Sequence, residues 1–303
     1  MSFTGFDPSR RTVLGAGAAL AVALPLGGIA DAATPGGEGL AGRLRKLERR
    51  HSARLGVFAH DVRTGRSVAY RADERFPMCS VFKTLAVAAV LRDLDHDGTF
   101  LVRRIRYTAA EVRRSGYSPR TELPENLARG MTVAELCDAT LRYSDNTAAN
   151  LLLRELGGPT AVTRFARSIG DRVTRLDRWE PELNSAEPWR ETDTTTPRAI
   201  GRTYGRLLLG DVLPRDDRER LTRWMLGNTT SGERFRKGLP ADWVLADKTG
   251  GGRYGGNNDA GVTWPPNGGP IVLTVMTTRF TEDAAPVDPL VAKAAALVAA
   301  ELG

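Results

Sequence analysis

Ser80 and Lys83, three residues apart in Ser80-Val81-Phe82-Lys83, put a hydroxyl and an amine on one face at the start of an apolar helical stretch. A serine hydroxyl is a weak nucleophile until a base removes its proton, and a lysine can do so only where burial or nearby positive charge holds it neutral. A helix N-terminus adds positive potential and N–H groups for a developing oxyanion. Alone, the pair reads as a helix cap followed by a solvated lysine. Tyr143-Ser144-Asp145-Asn146 falls between two helical segments. There Ser144 could relay a proton to a leaving nitrogen, and Asn146 could offer an amide to a substrate. Alone, it reads as an N-cap. Lys248-Thr249-Gly250 closes a strand pattern and is followed by Gly251 and Gly252. Small residues there would let a substrate lie alongside as an added strand, with Lys248 and Thr249 offering charge and a hydroxyl to its carboxylate. Alone, this is a hairpin end.

The elements that must position these groups are legible as blocks. Helical spacing over 42–54 precedes a strand at 55–62, a turn at Arg63-Thr64-Gly65-Arg66 and a returning strand at 67–70. Helical segments fill the middle at 81–92, 132–142, 147–156 and 160–169, punctuated by Gly, Pro and Asn. Strand patterns return at 243–248, 261–264 and 271–278, before a helix at 287–301. The prediction is an α+β fold: an antiparallel sheet built from both chain ends with flanking helices (about 40–75 and 225–303), plus an inserted all-helical lobe (about 76–224), with a cleft where they meet.

Three individually weak motifs thus occur in order, about 60 and 100 residues apart, on a helix start, a turn and a strand. In this combination the sequence resembles the penicillin-recognising serine enzymes, a motif set that is itself a standard worked case for class A β-lactamases and penicillin-binding proteins. The resemblance covers essentially the whole chain after its first 32 residues. Arg178-Trp179-Glu180-Pro181-Glu182-Leu183-Asn184 resembles the Ω-loop of class A β-lactamases. It implies that Glu180 and Asn184 hold a deacylating water with Glu180 as general base, and that Arg178 and Asp193 pair to close the neck of the loop. The chemistry is consistent: a carboxylate polarises the water and an amide fixes its place. Pro181 permits a cis peptide after Glu180. The resemblance further implies that Ser80 is the nucleophile and that the N–H groups of Ser80 and Gly251 bind the oxyanion. Ser144 protonates the departing nitrogen, and either Lys83 or Glu180 through the water is the acylation base. Arg234 matches a position from which some members present an Arg to the substrate carboxylate; many others carry it on the following strand, where this chain has Asn257. Tyr117 resembles the aromatic residue at the cleft mouth. Members that hydrolyse carbapenems often pair a Cys before the nucleophile with one just after the Lys-Thr-Gly segment. Here Cys79 is present but Gly252 takes the second position, so neither that bridge nor that activity is expected.

The rest of the sequence sets boundaries. The net charge of +7 comes from scattered Arg, with only five Lys, so no nucleic-acid partner is expected. Ser9-Arg10-Arg11 precedes an uncharged run over 14–30 ending at Ala30-Asp31-Ala32. This predicts a signal peptide over residues 1–32 of twin-arginine type, an exported catalytic domain over 33–303, and no membrane association once it is removed. Cys79 and Cys137 are expected to be free buried thiols. His51, His60 and His96 lack ligand spacing, so no metal and no cofactor are expected. A monomer acting on a small-molecule β-lactam is the expected form. A peptidoglycan carboxypeptidase would share the three motifs but lack the loop glutamate, and a β-lactam sensor would follow transmembrane segments.

Overall fold

Alternation along the strands sets the architecture. Leu245, Leu273 and Val275 face one core, while Ala246, Ala260, Val262, Val272 and Met276 face another. A period of two with apolar residues on both faces is what a sheet buried on both sides requires. In the computed structural model, which describes residues 38–303, the N-terminal strands β1 (Arg54–Asp61) and β2 (Ser67–Tyr70) join three C-terminal strands. These are β7 (Val244–Gly252), β8 (Gly256–Trp264) and β9 (Ile271–Thr278), giving one antiparallel sheet in the order β2-β1-β9-β8-β7. The α+β expectation holds, and the strand carrying Lys248 lies at the sheet edge. The export segment expected at 1–32 lies outside the described residues.

One face of the sheet is covered by α1 (Leu40–Arg50) and α12 (Asp288–Leu302), with the short α11 (Phe235–Gly238) beside them. On α12, Leu290, Val291 and Val298 are at most 1% exposed, each burial stabilising by roughly 1.5–3 kcal/mol. Between the strands run α2 (Lys83–Ala89), α3 (Thr99–Val102), α4 (Ala109–Ser115), α5 (Pro124–Arg129), α6 (Val133–Arg142), α7 (Asn146–Glu155), α8 (Thr160–Ser168), α9 (Pro197–Leu208) and α10 (Arg215–Leu226). Of these, α9 lies against β1, β8 and β9. A Cβ at Gly201 would come within 2.7 Å of the Phe58 ring and 3.0 Å of Thr274 Oγ1, so only glycine allows that approach. One turn on, the buried Tyr204 hydroxyl donates to Val81 O at 2.7 Å, tying the sheet-packed helix to the turn that carries Ser80.

Three local expectations are corrected. The helical middle also holds two short ladders, β3 (Phe76–Pro77) with β6 (Thr194–Thr195) and β4 (Arg104–Ile105) with β5 (Met131–Thr132). Two-residue strands are too short to register as an alternation. The first helix is Leu40–Arg50 rather than 42–54, because Ser52 turns left-handed (φ 46°) and Arg54 already pairs in β1. Finally, β7 does not stop at 248 but continues through Gly252, and β8 begins at Gly256, with Gly250↔Asn258 and Gly252↔Gly256 in register. Gly and Asn have low strand propensity, so here pairing rather than local preference makes the strand.

Candidate active site

The turn that carries Ser80 is made by a kink. Cys79 adopts φ 46°, then a 3-10 turn over Cys79–Phe82 passes into α2 at Lys83 and a π turn over Val90–Leu94. Left-handed backbone at a non-glycine residue costs about 1–3 kcal/mol and persists only where its surroundings enforce it. They do so here. A Cβ at Gly250 would stand 2.8 Å from Met78 O and 3.2 Å from Ser80 N, so β7 lies directly against the turn. Asn258 Nδ2 also donates to Pro77 O and Met78 O. Cys79 is wholly buried, and burial pushes its thiol up to about 12, away from any reactive range.

Ser144 is the second strained residue, at φ 58°. The reason lies next to it. Asp145 is the N-cap of α7, accepting from Ala148 N at 2.8 Å, and also accepts from Arg120 N, Thr121 N and the Thr121 hydroxyl. The cap reading of this tetrapeptide holds for Asp145, which anchors the turn and leaves Ser144 and Asn146 facing Lys83. Lys83 Nζ donates to Asn146 Oδ1 at 2.7 Å and Ser144 O at 2.8 Å, lies 3.4 Å from Ser144 Oγ, and makes an ion pair with Glu180 Oε1 at 3.1 Å. Both side chains of that pair are wholly buried. Glu180 Oε1 also accepts from Ser80 Oγ at 3.3 Å. One carboxylate oxygen therefore stands between the hydroxyl and the amine.

Glu180 reaches this position from loop 178–193. Arg178 Nε donates to Asp193 Oδ2 at 2.6 Å, while Asp193 Oδ1 accepts from the backbone N–H groups of Asp177 and Arg178. The two ends of the loop are thereby joined. The Glu180–Pro181 peptide is cis, and a 3-10 turn over Glu182–Ser185 places Asn184 so that its Nδ2 donates to Glu180 Oε2 at 2.5 Å. The other end of that amide, Asn184 Oδ1, is buried and has no hydrogen-bond partner.

Across the site, Lys248 Nζ donates to Ser144 Oγ at 3.0 Å and Thr249 O at 2.9 Å. Burial, with the charge of Lys83 nearby, holds its ammonium well below the usual lysine range. Thr249 Oγ1 lies 2.5 Å from Thr230 Oγ1, which in turn donates to Asn228 Oδ1 at 2.7 Å. Since the amide oxygen can only accept, the Thr249 proton points to Thr230 in this arrangement. A Cβ at Gly251 would meet nothing nearer than 3.9 Å, so this edge is open. One at Gly252 would meet Cys79 Sγ at 2.8 Å and Asn184 O at 2.9 Å. Cys79 and Cys137 are both free and buried. Among the described residues, no group of His, Cys, Asp or Glu is arranged to hold a metal ion, and no helix is long and apolar enough to cross a membrane.

Comparison with known proteins places this geometry. A model of the β-lactamase enzyme family matches residues 39–302. A β-lactamase of Streptomyces fradiae is 71% identical over 301 residues, covering 99% of this chain and 98% of its own. The solved β-lactamase of Streptomyces albus G superposes with a TM-score of 0.87 at 67% identity, covering 87% of this chain and 99% of that one. A mutant of a reconstructed ancestral class A β-lactamase of Gram-negative bacteria gives 0.81 at 52% identity, covering 86% and 98%. The chain belongs to the class A serine β-lactamases.

Within this β-lactamase, two expected binding residues are placed less directly than the others. Arg234 lies behind β7, its Nε donating to Asp288 at 2.8 Å and its Nη1 to Gly250 O and Asn258 O, so only Nη2 is free to meet a substrate. Asn257 Nδ2 donates to the same Asp288 oxygen at 3.0 Å, so the two positions noted in the sequence converge on one carboxylate. Tyr117 is 61% exposed, and its carbonyl accepts from Asn146 N. Two residues of the site were missed. Asn150 holds the Glu180 backbone at both ends, Nδ2 donating to Glu180 O at 2.8 Å and Oδ1 accepting from Glu180 N at 3.0 Å. Its place one helical turn after Asn146 was the available signal. Thr230, the partner of Thr249, had no signal beyond lying four residues before Arg234.

Proposed function

We propose that this β-lactamase opens the lactam ring through an acyl-enzyme on Ser80 and frees it with a water activated by Glu180. The observation that carries the reading is Glu180 Oε1, which lies 3.3 Å from Ser80 Oγ and 3.1 Å from Lys83 Nζ. Lys83 has acceptors for all three of its protons, so it serves as a charged neighbour, and Glu180 is the base that takes the Ser80 proton. As Ser80 Oγ bonds to the lactam carbonyl carbon, the N–H groups of Ser80 and Gly251 receive the oxyanion. The C–N bond then breaks, and the nitrogen takes a proton from Ser144 Oγ. Ser144 is resupplied by Lys83, which recovers a proton from Glu180, so the site returns to its starting charge.

For the second half, the unpartnered Asn184 Oδ1 supports a water beside Glu180, since that oxygen needs a donor and the carboxylate next to it needs a proton to remove. Attack of this water releases the penicilloic acid and returns the proton to Ser80. Lys248, Thr249, Asn146 and the edge of β7 hold the substrate, with Arg234 adding positive charge behind the strand and Tyr117 at the mouth. Export by the twin-arginine route is part of the same proposal, supported by Ser9-Arg10-Arg11 and the uncharged run after it. The test is Glu180→Ala with benzylpenicillin. Turnover is expected to fall by about 10²–10⁴-fold: Lys83, released from its ion pair, takes the Ser80 proton slowly in place of Glu180, while nothing activates the deacylating water, so a penicilloyl adduct on Ser80 accumulates in the mass spectrum. Fast turnover with no adduct would sink the assignment.

A further inference from the structure

On the face of β7 and β8 turned away from Ser80, two carboxylates are buried together. Asp247 pairs with Gly261, and Asp259 pairs with Thr249. The two acids are therefore diagonal neighbours on one side of the sheet. A Cβ at Gly261 would come within 2.8 Å of the Asp247 Cβ, so the glycine makes room for the pair. Neither residue is exposed at all. They share their side of the sheet with the apolar Leu245, Val275 and Phe235. Asp259 Oδ2 accepts from Phe235 N at 3.2 Å. Asp259 Oδ1 and both oxygens of Asp247 have no hydrogen-bond partner, and the same holds for Asn228 Nδ2 and Ser231 Oγ nearby.

The surrounding charges do not neutralise two anions. Arg236 stands 3.9 Å from Asp247 Oδ1, and Arg234 is already tied to Asp288. Lys248 points to the opposite face, toward Ser144. Two carboxylates in an apolar site cannot both ionise without a large desolvation cost, whereas an acid and a carboxylate satisfy each other. Burial, and then the charge of its partner, push Asp259 well above the ordinary carboxylate range.

The geometry points to Asp247 and Asp259 holding one proton between them as a positioning pair for Lys248 and Thr249. The inference rests on the proposed substrate-binding role of those two residues. The loop over 228–231 bonds to β7 at one place, Thr230 to Thr249, and sets Asn228 and Ser231 beside Asp247 without a formed hydrogen bond. With the proton present, the pair carries a single negative charge and fixes this loop against the strand. Without it, two buried anions would push the strand from its partners and shift Thr249.

Three measurements on the mature enzyme test this. Infrared spectra at neutral pH should show a protonated carboxyl stretch in wild type that is absent in both D247N and D259N. Stability of the wild type should fall as pH rises between the ordinary carboxylate range and the raised one. There the folded state holds the proton that the unfolded state has lost, and D259N should flatten that slope. With benzylpenicillin, D259A should raise KM by about tenfold with kcat little changed, and D259N, which can donate to Asp247 in place of the shared proton, should restore KM to within about twofold. Absence of the carboxyl signal, an unchanged KM in D259A, or D259N as damaging as D259A each overturns the inference. The infrared signal does not depend on turnover. Its presence in an enzyme that uses another nucleophile would defeat the proposed mechanism and leave the pair standing.

Discussion

Two buried lysines face each other across Ser144, and they differ in what they touch. Lys83 Nζ meets a carboxylate, an amide oxygen and a backbone carbonyl. Lys248 Nζ meets only a hydroxyl and a backbone carbonyl, and no salt bridge to it is formed among the described residues. The same residue type therefore serves two ends. On the α2 side the charge is neutralised in place by Glu180, the pair to which the proposed mechanism gives the proton exchange. On the β7 side the ammonium makes no ion pair, and burial and Lys83 lower its pKa, which suits the anion-binding role proposed for it.

Breaking the first half of the comparison should have the largest effect. Lys83→Met leaves Glu180 and Asn146 facing one another without a donor, and kcat/KM for benzylpenicillin should fall by about 10³-fold or more in steady-state assays. A loss below about tenfold would show that the lysine is only structural.

Breaking the second half should act on binding. Lys248→Ala should raise KM by about 10–100-fold with a smaller change in kcat, since a charge-assisted contact to the substrate is lost while the acid–base groups remain. A pH series sharpens the contrast. Because the folded pKa of Lys248 is depressed, KM should begin to rise at a pH below that at which an exposed lysine titrates. In the window between the folded and unfolded values the unfolded state binds more protons, so this group makes stability rise with pH. A KM flat through alkaline pH would contradict an unmet charge at this position.

The smallest effect is expected one turn along α7. Asn150→Ala frees both backbone groups of Glu180 and should cost about 1–3 kcal/mol of stability, seen as a lower Tm. It should also slow deacylation more than acylation in single-turnover experiments, because Lys83 still orients the side chain while the loop backbone is loosened.

The blocks of helix and strand were legible because they carry long periodic patterns: 271–278 is found as β9 without change, α7 and α12 differ from expectation by a residue at each end, and α8 differs only in ending one residue earlier. The Lys-Thr-Gly strand was read short because its last three residues, Gly250 to Gly252, have no strand preference of their own and are held by Asn258, Asn257 and Gly256 opposite. In the site, the groups with chemical side chains in compact motifs could be named from the sequence. Asn150 and Thr230 could not, because an asparagine inside a helix and a threonine in a loop are ordinary until their partners are known. Asp247 and Asp259 are separated by twelve residues and look like two solvated acids; only the register of β7 on β8 makes them neighbours.

The order of residues by itself determined which chemistry was at hand: a hydroxyl and an amine one helical turn apart, a capped turn, a lysine on a glycine-rich edge and a carboxylate before proline. Those are properties of short segments, fixed by local sterics and hydrogen bonding. The tertiary structure decided the distances between the segments, including the single Glu180 oxygen shared by Ser80 and Lys83 across a hundred residues of chain, and the unequal surroundings of Lys83 and Lys248. Burial and charge act through space, so what a side chain does depends on neighbours that the chain order does not specify.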